Sequence, residues 1–99
     1  MAAFRVSTAD VRRKAQELRV LNERFKAEVQ ALSSDVQRLN SMWEGEAKTA
    51  FIQAYSNDEE QFGNFYAGIN QFIEALMEIA DSYDQAEAQN TAIGQTRKA

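Results

Sequence analysis

The chain has no cysteine, no histidine and no proline, and only four glycines among its 99 residues. Without cysteine there is no disulfide, no thiolate nucleophile and no sulfur ligand for a metal. Without histidine, the commonest general base and the commonest metal ligand are both missing. Phosphate-loop, dinucleotide-fold and nucleophile-elbow motifs are absent too. Carboxylates remain, but no pair of them is singled out by position. Catalytic residues, a metal site, a cofactor and a small-molecule substrate are therefore not expected, and the chain does not read as an enzyme.

Long hydrophobic runs are also missing. No window approaches the roughly 18 consecutive apolar residues that a membrane span needs. The start, Met1-Ala2-Ala3-Phe4-Arg5, lacks the apolar core of a secretory signal, so general export rules leave the chain in the cytoplasm. Apolar residues make up 44% and charged residues 26%, ordinary values for one globular domain over residues 1–99.

The net charge of −4 is unevenly placed. Residues 1–40 hold eight Lys and Arg against five Asp and Glu, whereas residues 41–99 hold three against ten. Charge complementarity between two parts of one fold is the simple reading. A nucleic-acid face led by Arg12-Arg13-Lys14 is the other, but the run is short and the second half acidic, so no nucleic acid is expected.

What is present is a seven-residue apolar period. Ser7 is a suitable N-cap with Asp10 three places on, and Val6 and Val11 stand in the flanking staple positions. Val11, Leu18, Phe25, Leu32 and Leu39 then form one row, and Ala15, Asn22, Val29, Val36 and Trp43 form the other. This a/d pattern predicts a helix over about residues 8–40, packed along its length. Asn22 interrupts the seam, a device that commonly fixes register.

Gly45 is the only glycine in the first 62 residues, and it stands where the period stops and restarts. Glycine enters left-handed backbone regions without steric cost, so Trp43-Glu44-Gly45 predicts a chain reversal over residues 41–45. The second helix is expected over about residues 46–88. Its rows are Phe51, Asp58, Phe65, Phe72, Ile79 and Ala86, and Tyr55, Phe62, Ile69, Leu76 and Tyr83. Because the register holds on both sides of Ser56-Asn57-Asp58-Glu59, one continuous helix is expected there. Gly63 and Gly68 predict a slight bend or a close backbone approach. After Ala88 the period is lost, which predicts a mobile tail over 89–99.

The apolar face of the second helix is wider than one antiparallel neighbour covers. Ile52, Tyr66, Ile73 and Ala80 flank the seam on one side, and Ala47, Ala54, Gly68 and Ala75 on the other, with Met77 adjacent. The expected fold class is therefore all-α: an antiparallel helix-turn-helix hairpin, two of which pair into a four-helix bundle. A twofold homodimer is the first expectation and a heterodimer with a related chain the second. Ile52, Phe62, Tyr66, Ile69, Ile73 and Met77 are the expected interface. The aromatic row is read as packing rather than as a cofactor site.

With Trp43-Glu44-Gly45 at the bend of two heptad helices in a cysteine-free chain of this length, the protein resembles the WXG family of small secreted proteins. The resemblance covers essentially the whole chain. A second family element matches at Tyr83-Asp84-Gln85-Ala86-Glu87, with Tyr83 and Glu87 on one helical face. The family implies a substrate of the type VII (ESX) secretion systems, exported as a folded dimer and without a cleaved signal peptide. It also implies recognition by the membrane ATPase of that system, through Trp43, Glu44 and Gly45 together with Tyr83 and Glu87. By symmetry around the bend, Tyr83 would lie opposite Arg5 and Val6.

Function is thus expected to be secretion and binding, of a virulence-factor type, without catalysis. The alternative is a cytoplasmic adaptor or targeting chaperone, co-secreted with a larger toxin partner held on the second helix. A membrane-active protein is a third reading, and the acidic balance argues against it.

Overall fold

The computed structural model describes residues 7–98, with side chains to residue 94, and in it Ser7 caps the first helix. The Ser7 hydroxyl accepts the Asp10 backbone N–H at 3.1 Å, and the Ser7 carbonyl accepts that of Val11 at 3.1 Å. Both bonds satisfy donors that a helix start leaves unpaired. Val6, the expected partner of Val11 in the staple, lies outside the described residues. Helix α1 then runs from Thr8 to Met42 without a break.

Three residues make the turn. Trp43, Glu44 and Gly45 leave the helical conformation, and Gly45 does so at φ +110°, the one positive φ among the described residues. A side chain there would strain the backbone, so glycine is required. The Gly45 carbonyl accepts the Thr49 N–H at 3.4 Å and opens helix α2, Glu46–Lys98, with Glu46 in its first turn. The described residues are thus all-α, two long helices joined by the Trp43-Glu44-Gly45 bend.

The second helix passes through Ser56-Asn57-Asp58 intact, as the unbroken register predicted. It does not end near Ala88, however, but continues to Lys98. Residues 89–98 contain no proline and several good helix formers, so nothing stops the backbone ladder. What ends near Ala80 is burial: every described side chain from 81 to 94 is exposed. The loss of apolar period marked the end of packing, not the end of the helix.

Contacts group the chain into two compact units, one built from residues up to Arg19 and from Gln71 onward, the other from Val20–Asn70. In the first unit Ala15, Ile73 and Ala80 are buried, with Val11, Leu18, Leu76 and Met77 half-buried. In the second unit Val36 and Asn22 are buried, beside half-buried Phe25, Val29, Trp43, Ile52, Tyr55, Phe62, Tyr66 and Ile69.

On α1 the predicted row Ala15 through Trp43 turns inward, with Val11, Leu18 and Phe25 of the companion row half-buried beside it, but Leu32 and Leu39, also expected on the seam, are 44% and 39% exposed. On α2 one row turns inward as predicted at Tyr55, Phe62, Ile69 and Leu76, but its last member, Tyr83, is exposed. The other row is corrected. Phe65, Phe72 and Ile79 were expected on the seam but are 57%, 54% and 63% exposed, and Phe51 is also exposed. Ile52, Tyr66, Ile73 and Ala80, expected on the outer flank, take the inward place. Rows on either side of Tyr55 complete the same heptad pattern, so the period alone cannot choose between them.

Polar chemistry makes the choice. Asn22 is buried, and its amide donates to the Tyr66 carbonyl at 3.1 Å and to Asn70 Oδ1 at 3.0 Å. A buried amide left unpaired costs about 1–3 kcal/mol, so the Tyr66–Asn70 side of α2 is drawn beneath α1. The lone polar residue of the seam therefore has its partners within its own unit.

The glycines inside α2 are a second correction. A Cβ at Gly63 or Gly68 meets nothing within 4 Å, so no close backbone approach within this chain requires either glycine. Gly68→Ala should therefore stabilise the isolated chain by about 0.5–1 kcal/mol in urea denaturation. A destabilisation would reveal another backbone against that position.

Candidate recognition site

The bend places its tryptophan rather than leaving it loose. Trp43 is half-buried and its ring lies 5.6 Å from that of Phe51, tilted by 55°. This is the packing expected of a residue that caps the turn. Glu44 and Gly45 beside it are exposed. The same unit holds an aromatic cluster in which Phe25 meets Phe62 at 6.1 Å and Phe65 at 5.2 Å, both edge to face. Opposite it the Tyr66 hydroxyl donates to Glu23, Lys26 sits 5.1 Å above the Tyr66 ring, and the Ser33 hydroxyl donates to Glu59 at 2.7 Å. An open groove of about 290 Å³ runs between Phe25, Val29, Phe62, Gly63 and Tyr66.

In the other unit, Tyr83 is 56% exposed and Glu87 is exposed, four residues apart on α2. Arg5 and Val6, the expected neighbours of Tyr83, lie outside the described residues. What the structure does bring to this segment is a polar clasp from α1. Arg12 Nη2 reaches Asp81 Oδ1 at 2.7 Å and Asp84 Oδ2 at 2.8 Å, and the Thr8 hydroxyl donates to Asp84 Oδ1 at 2.8 Å. The Thr8 hydroxyl and then the Arg12 guanidinium hold the Asp84 carboxyl below its usual range, because both interactions favour the charged form. Asp81 and then Asp84 raise Arg12 in turn. At the helix start, Ser7 and then Arg13 lower Asp10 in the same way.

The basic run is thereby accounted for within the fold. Arg12 pairs across to α2, while Arg13 pairs with Asp10 and Lys14 with Glu17 along α1. Sequence reasoning anticipated complementary charge but not its partners. A contact between residues 69 positions apart leaves no local signature.

The expected interface residues divide unevenly. Ile73 is 1% exposed and packed within its own unit, so it is not a surface residue. Ile52, Phe62, Tyr66, Ile69 and Met77 are half-buried. The large apolar side chains left open are Val20, Leu21, Leu32, Leu39, Met42, Phe51 and Phe65 in one unit, and Phe72, Ile79 and Ile93 in the other, beside Tyr83.

Among the described residues no helix is long and apolar enough to cross a membrane, and no three His, Cys, Asp or Glu side chains converge on a metal site. No curated protein and no solved structure gives a significant match to the chain. A family model described as proteins of 100 residues with WXG does match, over residues 3–88. That span takes in the tryptophan-glycine bend, both inward rows and the Tyr83–Glu87 pair, and the chain belongs to the WXG100 family of small, non-enzymatic helical proteins associated with type VII secretion.

Proposed function

We propose that this protein is a substrate of a type VII (ESX) secretion system, exported as a folded dimer that acts by binding. One observation carries the reading. The tryptophan bend and the exposed Tyr83–Glu87 pair stand on a hairpin of the WXG100 family with both motif segments open to a partner. The secretion ATPase is the partner assigned to those five residues, Trp43, Glu44, Gly45, Tyr83 and Glu87. The protein acts outside the cell, in a binding role of the virulence-factor kind.

The dimer is argued from surface. Large apolar side chains of α2 stand open to water, and a standard interface needs only about 800 Å² from each partner. Phe51, Phe65, Phe72 and Ile79 are the side chains best placed to be covered, so the proposed interface centres on that row rather than on Ile73. A second copy gives a twofold four-helix bundle.

The decisive measurement compares culture medium from the native host with medium from a strain lacking the secretion ATPase. The protein is expected in the first medium and retained in the cells of the second. Equal amounts in both media would overturn export through this route. The same open row also fits an adaptor or targeting chaperone that carries a larger toxin. Co-purification from the host as a homodimer argues against that alternative, whereas a larger stoichiometric second chain, not a related hairpin, establishes it.

A further inference from the structure

Every described side chain on α2 from residue 81 to 94 is exposed, so no buried contact holds this stretch against α1. Ala80 is the last buried residue among those described, and Tyr83 begins the motif three positions later. Within that gap stands the clasp from α1. From α1, Thr8 and Arg12 reach α2 beyond Ala80 through Asp81 and Asp84.

We propose that Arg12 is a positioning residue for the recognition segment: by bridging Asp81 and Asp84 it holds against α1 the first exposed turn of α2, the turn that presents Tyr83 and Glu87. The proposal rests on the export reading above. Its geometry is a two-point attachment. One guanidinium nitrogen touches carboxylates a turn apart on α2, and both oxygens of Asp84 are engaged, one by Arg12 and the other by Thr8. Thr8 and Arg12 are themselves one turn apart on α1, so the two contacts hold the turn against splaying as a single contact would not.

The clasp also leaves the motif bare. At 3.6 residues per turn, roughly 40° separates Tyr83 from Glu87, while Tyr83 stands roughly 160° from Asp81 and roughly 100° from Asp84. Arg12 therefore grips one flank of the helix while Tyr83 stands on the other. A purely stabilising role fits less well. The side chains of Arg12, Asp81 and Asp84 are 34%, 64% and 46% exposed, and ion pairs that open to water add little to global stability. Ala15, Ile73 and Ala80 already hold this unit together.

The test measures the secreted fraction of the full chain in strains with and without the secretion ATPase, alongside thermal melts of the purified proteins. The variants are Arg12→Ala, Arg12→Asp and the exchange Arg12→Asp with Asp84→Arg. If an unclasped helix presents the motif correctly about one time in five, Arg12→Ala lowers the secreted fraction about fivefold. Its melting temperature is expected to stay within about 2 °C of wild type. Arg12→Asp is expected to do at least as badly, and the exchange to recover most of the loss. Wild-type secretion of Arg12→Ala overturns the proposal, as does a loss that follows a lowered melting temperature, or an exchange no better than Arg12→Asp alone. ATPase-independent secretion of the wild-type chain overturns the export reading, and this proposal with it. ATPase-dependent wild type beside an indifferent Arg12→Ala overturns this proposal alone.

Discussion

Ile73→Ala is expected to cost the fold about 2–5 kcal/mol, the range for emptying a buried aliphatic site. Ile73 is 1% exposed and is the largest fully buried side chain among the described residues. Its neighbours in burial, Ala15 and Ala80, are too small to close over the cavity. Domains of this size are stable by only about 5–15 kcal/mol, so the substitution removes a large share of the total. Urea denaturation of dilute protein measures the loss. Ile79→Ala, on the exposed row of the same helix, serves as the comparison and is expected within about 0.5 kcal/mol of wild type under those conditions. A larger loss at Ile79 than at Ile73 would mean that the inward row of α2 had been assigned to the wrong side.

That comparison bears on what could be read from residues alone. The bend was legible because Gly45 is isolated, stands where a heptad pattern halts, and meets a steric need that the +110° φ makes concrete. The start of α1 was legible because Ser7 and Asp10 bond to each other's backbone or side chain over three residues. The α1 seam was legible in part: Ala15, Asn22, Val29, Val36 and Trp43 turn inward as read, whereas Leu32 and Leu39 of the companion row stay exposed. On α2 two rows compete, Phe51-Phe65-Phe72-Ile79 and Ile52-Tyr66-Ile73-Ala80, and bulk favours the wrong one. The deciding atoms belong to Asn22 and its distant partners, the Tyr66 carbonyl and Asn70. Asn70 sits between Ile69 and Gln71 without any local pattern that marks it. The clasp at Arg12 was hidden for the same reason: complementary net charge was visible in the two halves, whereas the partners of one particular arginine were not. Both motif segments were legible by position. How Tyr83 and Glu87 are held was not.

Phe65 and Phe72 together are expected to decide whether two chains associate. Their rings are 57% and 54% exposed in the single chain, in separate units, seven residues apart on α2. Burying an aromatic ring contributes about 1.5–3 kcal/mol, and in a twofold dimer each position is buried twice. Part of that gain is offset by lost translational and rotational freedom. Phe65→Ser with Phe72→Ser is therefore expected to weaken association by at least about 4 kcal/mol, a thousandfold in the dissociation constant. Serine is preferred to glutamate here because it leaves the net charge at −4, so electrostatic repulsion between chains does not enter the comparison. Light scattering at micromolar concentration should give a dimer mass for wild type and a single-chain mass for the variant. The melting temperature should rise with concentration for wild type and lose that dependence in the variant, since only an associating species is stabilised by mass action. A variant that keeps the dimer mass moves the interface away from this row. A wild-type chain that melts cooperatively as a single species, at every concentration, removes the need for a partner: the rings would then be tolerated in water, and the two motif segments would have to be recognised on one chain.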